Sequence, residues 1–385
     1  EKLQHCYNMS YTLSYARDNF VHFATINKLT TAVIDAAKDI KSKGDNLSDG
    51  DFEKIHKRIE EAIAIKSRDT VGVLLGDVAG NPKEFIESQN RFDKNTIVPT
   101  GFPTLDNAHI AGGPLPGELC VISAPPGRGK STVLINVGAY ASLKGKDVVH
   151  IFVGDNTEAD GVLRYCARMT GVSMSQIMLN SEQYLNSWRQ LKESFKLGNV
   201  LIGAYSIGSP NIADIRSFIT KNMAKYGMKP SIVIIDYIDN CRQNPNKNSY
   251  ESLGDLYSEL KNMAEELKLV VWTASQPKID YWESENPGLA SLAESSKKQH
   301  HLDIMLTMSK LNENQYKVFV PKMRRGRSDF DFDVAVSYEK MQVKESFSSR
   351  LNQNYIPNQA NPQAQTSLPG ANVLPNMFDD GGTKV

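Results

Sequence analysis

The chain has 385 residues and a mass of 42.8 kDa, enough for one large domain with appended segments. Lysine plus arginine and aspartate plus glutamate each number 44, so the zero net charge excludes neither nucleic acid nor another polyanion as a partner. No apolar run reaches membrane-spanning length, and the four cysteines lack zinc-binding or disulfide-type spacing, which favours a cytoplasmic location. Glu1 is not an initiating methionine, so we expect a longer precursor.

The first 90 residues predict a helical segment. Apolar residues recur at helical spacing between Phe20 and Ile40, and a second amphipathic helix is predicted from Asp49 to Lys66. The charged faces of these helices are expected to be solvated. Packing on a neighbouring subunit is an alternative that the pattern leaves open.

From residue 91 the pattern changes to apolar strands that alternate with helices. Buried strands are predicted at 118–122, 148–153, 200–204, 231–235 and 269–274. Helices are predicted at 157–170, 212–226 and 253–267. Hairpin-type edge strands are predicted near 304–306, 316–320, 333–336 and 341, with a turn at 312–314. We therefore expect an α/β domain over 91–345, with a central, mostly parallel sheet flanked by helices, and a disordered Asn-, Gln- and Pro-rich tail over 346–385.

A glycine-bearing turn lies between the first strand and the next helix. It reads Ala124-Pro125-Pro126-Gly127-Arg128-Gly129-Lys130-Ser131-Thr132, a Walker A pattern with alanine at its first glycine position. Gly127 and Gly129 allow backbone N–H groups to approach phosphate oxygens. Lys130 supplies a cation for the β- and γ-phosphates, and the Ser131 hydroxyl is placed to hold Mg²⁺. The turn therefore predicts that the chain binds a nucleoside triphosphate.

Polar residues follow three other buried strands, at the end where ligands bind in parallel sheets. Asp236 suits a Walker B role toward Mg²⁺, with a turn or helix cap as the alternative. Asp155, or else Glu158, is a candidate base for water, although Asp155 could instead cap the helix near Thr157. Gln276 is a candidate sensor of the γ-phosphate, with a simple strand-end polar residue as the alternative.

A basic segment reads Lys322-Met323-Arg324-Arg325-Gly326-Arg327. Such runs are usually solvated or face phosphate. In a ring, this loop could instead reach a neighbour's γ-phosphate as an arginine finger.

Taken together, these motifs resemble the ATPase half of the DnaB-family hexameric replicative helicases of superfamily 4, which have a RecA-like core. The matching segments run in the family's order from Pro99 to Val336. They are Thr100–Asp106, Ala124–Thr132, Phe152–Arg164, Ile234–Ile238, Leu260–Leu267, Ser275–Gln276 and Lys322–Gly326. The family's Asp-Tyr-Leu-Gln appears here as Asp236-Tyr237-Ile238-Asp239. The departures from the family pattern at Asp155 and Ala293 resemble viral (phage) members more than bacterial ones.

The resemblance implies roles for matched positions. Lys130 and Ser131 would bind phosphates and Mg²⁺, and Asp236 would be the Walker B acid. Arg164 would contact the bound nucleotide, while Lys322 and Arg324 would act in trans on the adjoining subunit's ATP. The family's catalytic glutamate falls at Asp155, so the base remains open between Asp155 and Glu158.

The family's DNA-contacting loop, Asp-Leu-Arg-Glu-Ser-Gly, resembles Ser291–Ser296 here, with Ala293 at the position of its arginine. The DNA-binding residues implied by this match are Glu294, Ser296, Lys297 and Lys298. The two lysines either take over the phosphate contact or are simply solvated. The helices before residue 91 would correspond to the end of a collar and a linker helix.

The implied function is that of a ring-forming replicative helicase, which hydrolyses ATP between subunits, translocates on single-stranded DNA and unwinds duplex. Its expected partners are further copies of the chain in a hexamer, single-stranded DNA, a primase and a helicase loader. One alternative is a recombination or repair ATPase of the RecA/RadA type. Another is a non-catalytic, nucleotide-gated loader or adaptor, which the altered sequence around Asp155 would favour.

Overall fold

The computed structural model describes residues 29–44, 48–63, 75, 79–81, 95–179, 181–292 and 296–346. The chain divides into two units, residues 1–82 and 83–385. Parts of the predicted N-terminal helices, at 20–28 and 64–66, lie outside the described residues, as does the predicted tail beyond residue 346.

Two helices are described in the first unit. Helix α1 covers residues 29–43 and α2 covers Asp49–Ile63, which confirms the predicted helices where the structure describes them. An ion pair of 2.7 Å between Arg58 and Asp39 joins the two helices. Ser48 precedes α2, and both its N–H and its hydroxyl donate to the carboxylate of Asp51, the third residue of the helix, as in half of a capping box.

Nine strands in the second unit form one sheet. They are β1 (Leu119–Ser123), β2 (Asp147–Val153), β3 (Val200–Tyr205), β4 (Pro230–Asp236), β5 (Val270–Ser275), β6 (Ile304–Lys310), β7 (Gln315–Met323), β8 (Phe330–Ser337) and β9 (Gln342–Glu345). Their order is β3-β2-β4-β5-β1-β6-β7-β8-β9. The first six strands in this order are parallel, and β7, β8 and β9 are added antiparallel. The loop that follows β1 therefore leaves the sheet near its centre.

The predicted hairpin strands form, but of these four only β9 lies at an edge of the sheet, so the edge assignment is wrong for β6, β7 and β8. The most interior of them is β6. This strand pairs in parallel with β1, where Cys120 is opposite Ile304, and antiparallel with β7 on its other side. Its continuous apolar run is buried on both faces, as expected of an interior strand. The predicted turn is confirmed: the Asn312 side-chain carbonyl accepts the backbone N–H groups of Asn314 and Gln315.

Eight α-helices are described in the second unit. They are α3 (Pro103–Ala108), α4 (Lys130–Leu143), α5 (Glu158–Thr170), α6 (Met174–Met178), α7 (Glu182–Ser194), α8 (Ile212–Tyr226), α9 (Ser249–Leu267) and α10 (Ser296–His301). Residues of α4 pack with Trp272 on one face of the sheet, and residues of α8 and α9 pack with Val271 on the other. The predicted sheet covered on both faces is confirmed. No helix among the described residues is long and apolar enough to cross a membrane.

A tight contact fixes α4 and α5 against β2. A Cβ atom at Gly138 would lie 2.1 Å from the Tyr165 hydroxyl, so only glycine allows this approach. The hydroxyl lies 2.9 Å from Nδ1 of His150, a fully buried residue. Burial, with Arg164 acting in the same direction, lowers the pKa of His150 to about 3. The imidazole is therefore neutral, and its role here is packing.

Candidate nucleotide-binding site

The turn between β1 and α4 has the backbone of a phosphate cradle. Gly127 and Gly129 have φ angles of 71° and 85°, in the left-handed region that disfavours other residues. Gly129 directly precedes Lys130, the first residue of α4, and has no side chain to cap it. The first N–H groups of the helix can therefore turn to an anion.

Lys130 lies back over this turn. Its Nζ donates to the carbonyl oxygens of Ala124 at 2.7 Å and Pro125 at 3.0 Å. Burial lowers the pKa of Lys130 to about 8, while Asp236 and Asp239 act in the opposite direction. The ammonium is thus mostly charged near neutral pH, and its protein partners are neutral carbonyl groups that phosphate oxygens can replace.

The other residues of the turn divide between core and surface. Ala124 and Thr132 are buried, and Ala124 packs in the apolar core, so alanine is accommodated at the usual glycine position. Pro126 is exposed. The guanidinium of Arg128 lies 3.3 Å from the Glu283 carboxylate, which joins the turn to the segment after β5.

The predicted polar residues meet at one edge of the sheet. Strands β2, β4, β5 and β1 are consecutive neighbours, and their carboxyl ends are in register, with Phe152 opposite Asp236 and Ser123 opposite Ser275. Asp155 follows β2, Gln276 follows β5 and the phosphate cradle follows β1. Four adjacent strand ends therefore present an acid, a second acid, an amide and the cradle to the same region.

Asp236 is buried at the end of β4, with one unpaired oxygen. Burial raises the pKa of its carboxyl, while the Ser131 hydroxyl, Arg164 and Lys130 act in the opposite direction. Among the described residues, Asp236 Oδ2 has no hydrogen-bond partner. The turn that follows has Tyr237 at its cap position, so the alternative cap role is not realised. A buried carboxylate with a free oxygen beside a serine hydroxyl fits Mg²⁺, which takes few protein ligands and completes its shell with phosphate and water.

Gln276 is linked to the Walker B turn. Its amide Nε2 donates to the Tyr237 hydroxyl at 3.3 Å, and Tyr237 follows Asp236 directly. A displacement of the amide would therefore act on Asp236, the predicted metal-binding acid, as well as on the loop after β5.

The helix after β2 is capped by Thr157, not by Asp155. The Thr157 hydroxyl accepts the N–H of Asp160 at 3.2 Å, and the Asp160 carboxylate accepts the N–H of Thr157 at 2.9 Å. The capping alternative for Asp155 is therefore wrong. Asp155 and Glu158 are both exposed at this edge, and the geometry leaves the choice of base between them open.

Lys322 and Arg324 lie at the opposite edge of the sheet. The Arg324 N–H donates to the Asp303 carbonyl at 2.8 Å, and the Asp303 N–H donates to the carbonyl of Leu119, where β1 begins. The five residues of β1 separate this point from the cradle by about 13 Å. The Arg324 side chain is 47% exposed, and its guanidinium donates to the His300 carbonyl at 2.6 Å. It is therefore not brought together with the cradle of its own chain.

The predicted DNA-contacting residues are separated by their burial. Glu294 lies outside the described residues, and Ser296 is described only as the start of α10. Lys297 is exposed, with Nζ 5.8 Å from the Tyr250 ring centroid. Lys298 is only 1% exposed and forms an ion pair of 3.0 Å with Asp239. The expectation of a surface ammonium at Lys298 is wrong, because its partner is a carboxylate beneath the surface.

Other residues at the site have no assignment from the motifs. Tyr338 lies over the cradle, since a Cβ atom at Gly129 would be 3.4 Å from its hydroxyl, and it shares a 2.6 Å hydrogen bond with Tyr316. Asp303 binds the arginine at the opposite edge. No sequence motif marks Tyr338 or Asp303. For Lys298, the available signal was Asp239, its ion-pair partner, which stands where the related motif has glutamine.

A Walker A turn at the centre of a mixed sheet, with a buried acid and an amide on neighbouring strand ends, defines a P-loop nucleotide-binding protein. Residues 97–344 match the model of the DnaB-like helicase C-terminal domain, and the chain belongs to this family.

The similar proteins are of bacterial and phage origin. The DnaB-like replicative helicase of Enterobacteria phage T4 is 27% identical over 214 residues, which cover 54% of this chain and 45% of that protein. The replicative DNA helicase DnaB of Mycoplasma genitalium is 28% identical over 225 residues, which cover 56% and 47%. The chain thus spans about half the length of these relatives.

Two solved structures share the fold. One, described as an ATPase domain, superposes with a TM-score of 0.59 at 21% identity, covering 71% of this chain and 99% of that one. The other, a DnaB-like replicative helicase described with its interactions with primase, has a TM-score of 0.62 at 19% identity and covers 85% and 77%.

Proposed function

We propose that this protein is a ring-forming, ATP-dependent DNA helicase that hydrolyses ATP between subunits, translocates on single-stranded DNA and unwinds duplex. The observation that carries the proposal is the placement of Lys130 and Arg324 at opposite edges of one sheet in a member of the DnaB-like family. A catalytic arginine that cannot reach the cradle of its own chain needs a neighbour's nucleotide, and a head-to-tail interface that closes makes a ring. We propose that the ring is hexameric.

In this proposal, one subunit binds ATP through its cradle. The N–H groups at the start of α4 and the Lys130 ammonium hold the β- and γ-phosphates. Ser131 and Asp236 would hold Mg²⁺, which neutralises charge on the phosphate oxygens when it is bound. Arg164, whose charge already acts on Asp236, would contact the nucleotide from α5.

Asp155 orients the attacking water and accepts its proton, with Glu158 as the alternative base. The neighbouring subunit supplies Arg324, assisted by Lys322, to stabilise the charge that develops on the transferred phosphoryl group. Gln276 detects the γ-phosphate. Loss of the γ-phosphate after hydrolysis changes the hydrogen bond from Gln276 to Tyr237 and, with it, the position of the loop after β5.

Single-stranded DNA is proposed to bind near the start of α10. Lys297 offers an exposed ammonium above the Tyr250 ring, a combination of cation and aromatic surface that suits a nucleic-acid strand. Glu294 and Ser296 would complete the contact, as the family's loop implies. Because backbone phosphates carry most of such binding, we expect it to tolerate sequence changes and to weaken with salt. A primase and a helicase loader are the further partners that we propose, the first supported by the related helicase described with primase.

Three measurements test this function. The purified chain should form rings in particle images, hydrolyse ATP faster with single-stranded DNA, and displace the strand of a forked duplex. Lys130→Ala should lower hydrolysis by at least about 100-fold, because the phosphate cation is lost. A chain that remains monomeric with both ATP and DNA would contradict the proposal. Strand exchange without unwinding would instead indicate a recombination ATPase, and ATP binding without turnover an adaptor.

A further inference from the structure

A buried charge pair connects α10 to the nucleotide edge of the sheet. The Asp239 Oδ2 atom accepts hydrogen bonds from Nζ of Lys298 at 3.0 Å and from the hydroxyl of Ser275 at 2.9 Å. Asp239 follows the Walker B acid by three residues, and Ser275 directly precedes Gln276. One carboxylate therefore joins the ends of β4 and β5 to α10.

The Lys298–Asp239 pair costs more desolvation free energy than a purely structural contact would require. The Lys298 side chain is 1% exposed and that of Asp239 17% exposed, and the ammonium lies 5.1 Å from the centroid of the fully buried Tyr257 ring. A buried ammonium loses its hydration, and an apolar side chain of similar size would usually stabilise such a position at least as well. What the charge pair adds is one defined position of α10 relative to the two strand ends.

The other end of α10 is held by the cations of the opposite edge. The Lys322 ammonium donates to the carbonyl of Gln299, and the Arg324 guanidinium donates to the carbonyl of His300. Helix α10 lies in the crossover between β5 and β6, and thus returns from the carboxyl edge of the sheet to its amino edge. A helix of only six residues thereby contacts both the nucleotide edge and the proposed trans cations.

Adjacent lysines of this helix have different environments. Lys297 is exposed and available to DNA, whereas Lys298 is directed inward to Asp239. A shift of Asp239 or Ser275 that accompanied a change at Gln276 would act on Lys298, and through it on Lys297. It would also act on the carbonyl groups of Gln299 and His300, to which Lys322 and Arg324 donate.

We propose that Asp239 and Lys298 are positioning residues that couple a subunit's own nucleotide to DNA, and to the neighbour's active site, through α10. The proposal rests on the proposed function, since it assigns a mechanism to DNA-stimulated hydrolysis. Neither residue touches ATP in this scheme. Their task is to transmit the state of the Walker B turn and of Gln276 to one short helix.

The test is the ratio of ATP hydrolysis with saturating single-stranded DNA to hydrolysis without DNA. Lys298→Met keeps an unbranched side chain of similar length and removes the charge, and we expect the ratio to fall about fivefold or more. More DNA should not restore it. Lys297→Met should instead raise the DNA concentration needed for half-maximal stimulation and leave the maximum attainable. Lys310→Met, an exposed lysine at the end of β6, should keep both values.

The double variant Asp239→Asn with Lys298→Met separates coupling from folding, because it leaves no single charge buried. We expect it to fold, as judged by its thermal transition, and to remain uncoupled. A double variant with the wild-type ratio would overturn the proposal and show that the pair only stabilises the fold. The same holds if folded Lys298→Met retains the wild-type ratio.

Hydrogen exchange on the unmutated protein gives an independent readout. Amide protection in residues 296–301 should change between the ADP state and a non-hydrolysable ATP analogue in the absence of DNA, and unchanged protection would overturn the proposal. If the wild-type protein hydrolyses ATP without any response to DNA, the proposed function itself fails. The coupling proposal alone fails if the wild-type protein responds to DNA and the variants without the charge pair respond to the same extent.

Discussion

Lys130 is a half-buried lysine whose partners in the unliganded protein are neutral carbonyl groups. Burial lowers its pKa to about 8, although Asp236 and Asp239 act in the opposite direction. A lysine is charged below its pKa and neutral above it. The cradle should therefore lose its cation as the pH rises through about 8, well below the pH at which an ordinary lysine would lose it.

This gives a pH prediction for nucleotide binding. The dissociation constant of Mg²⁺-ATP should be nearly constant from about pH 7 to 7.5, then increase by up to about tenfold per pH unit above 8. Titration of a fluorescent ATP analogue across this range measures it. Lys130→Arg is the matched control, since arginine stays charged throughout; its binding should be weaker but independent of pH. A wild-type constant that does not change up to about pH 9.5 would contradict the assignment.

At the level of single residues, motif spacing predicted which residues meet at one edge of the sheet but not which side chains face solvent. Asp236, Gln276 and the cradle meet at one edge because strand ends in a parallel sheet are determined by the order of apolar runs. The burial of Lys298 depends on Asp239, which is 59 positions away in sequence. Nothing local distinguishes Lys297 from Lys298, so only tertiary structure could separate the exposed lysine from the buried one.

Among the elements, α4 depends on a glycine within its own length. Gly138 lies where a Cβ atom would be 2.1 Å from the Tyr165 hydroxyl and 2.9 Å from Cδ1 of Ile234. The hydroxyl cannot move freely, because the tyrosine is buried and hydrogen-bonded to His150. Close packing of α4 on α5 and β4 therefore outweighs the helix propensity that alanine would add.

We predict that Gly138→Ala lowers the free energy of unfolding by about 1–3 kcal/mol, even though alanine is the better helix former. Chemical denaturation measures this change. Tyr165→Phe removes the atom nearest to the added methyl group, so the double variant should be more stable than the sum of the two single effects predicts. Simple additivity would show that the contact with Tyr165 is not what requires glycine at this position.

The elements that sequence patterns predicted well are those with long apolar runs. Strands β1, β4 and β5 fall within one or two residues of their predicted bounds, because burial on both faces leaves a continuous apolar signal. Helix α8 also has its predicted bounds, with Asn211 as its N-cap and Gly227 as its C-cap. Helix α7 was not predicted, and only Leu191 among its residues is buried, so its apolar pattern is weak. Its clearest signal was Ser181, whose hydroxyl accepts the N–H of Tyr184 as an N-cap. The edge assignment failed for β6, β7 and β8 because a short apolar run does not reveal how many neighbouring strands it pairs with.

For the molecule as a whole, the central inference is that a complete active site needs two copies of the chain. The cradle and Arg324 lie at opposite ends of β1, and the length of that strand separates them. Asp303, which pairs with Arg324, is itself buried and paired with Lys261. The position of Arg324 at this edge is therefore fixed by buried ion pairs. Such an arrangement suits a head-to-tail interface, where each subunit contributes a different half of every site.

Mixing two inactive variants distinguishes a shared site from a self-contained one. Lys130→Ala has an intact arginine and no phosphate cation, and Arg324→Ala has the reverse. We expect each alone to show almost no hydrolysis. In random one-to-one rings, half of the cradles are intact and half of their neighbours supply Arg324, so about one quarter of wild-type activity should return.

The expected value depends on subunit exchange, which is therefore a necessary control. Variants labelled with two different fluorophores should show energy transfer after mixing, and mixtures prepared without exchange should remain inactive. If Arg324 instead served the nucleotide of its own chain, every subunit in the mixture would lack one essential cation and no activity could return at any ratio. Because each copy presents Arg324 at one edge and Lys130 at the other, recovery would also require the copies to be arranged head to tail, which is the arrangement that allows a ring to close around DNA.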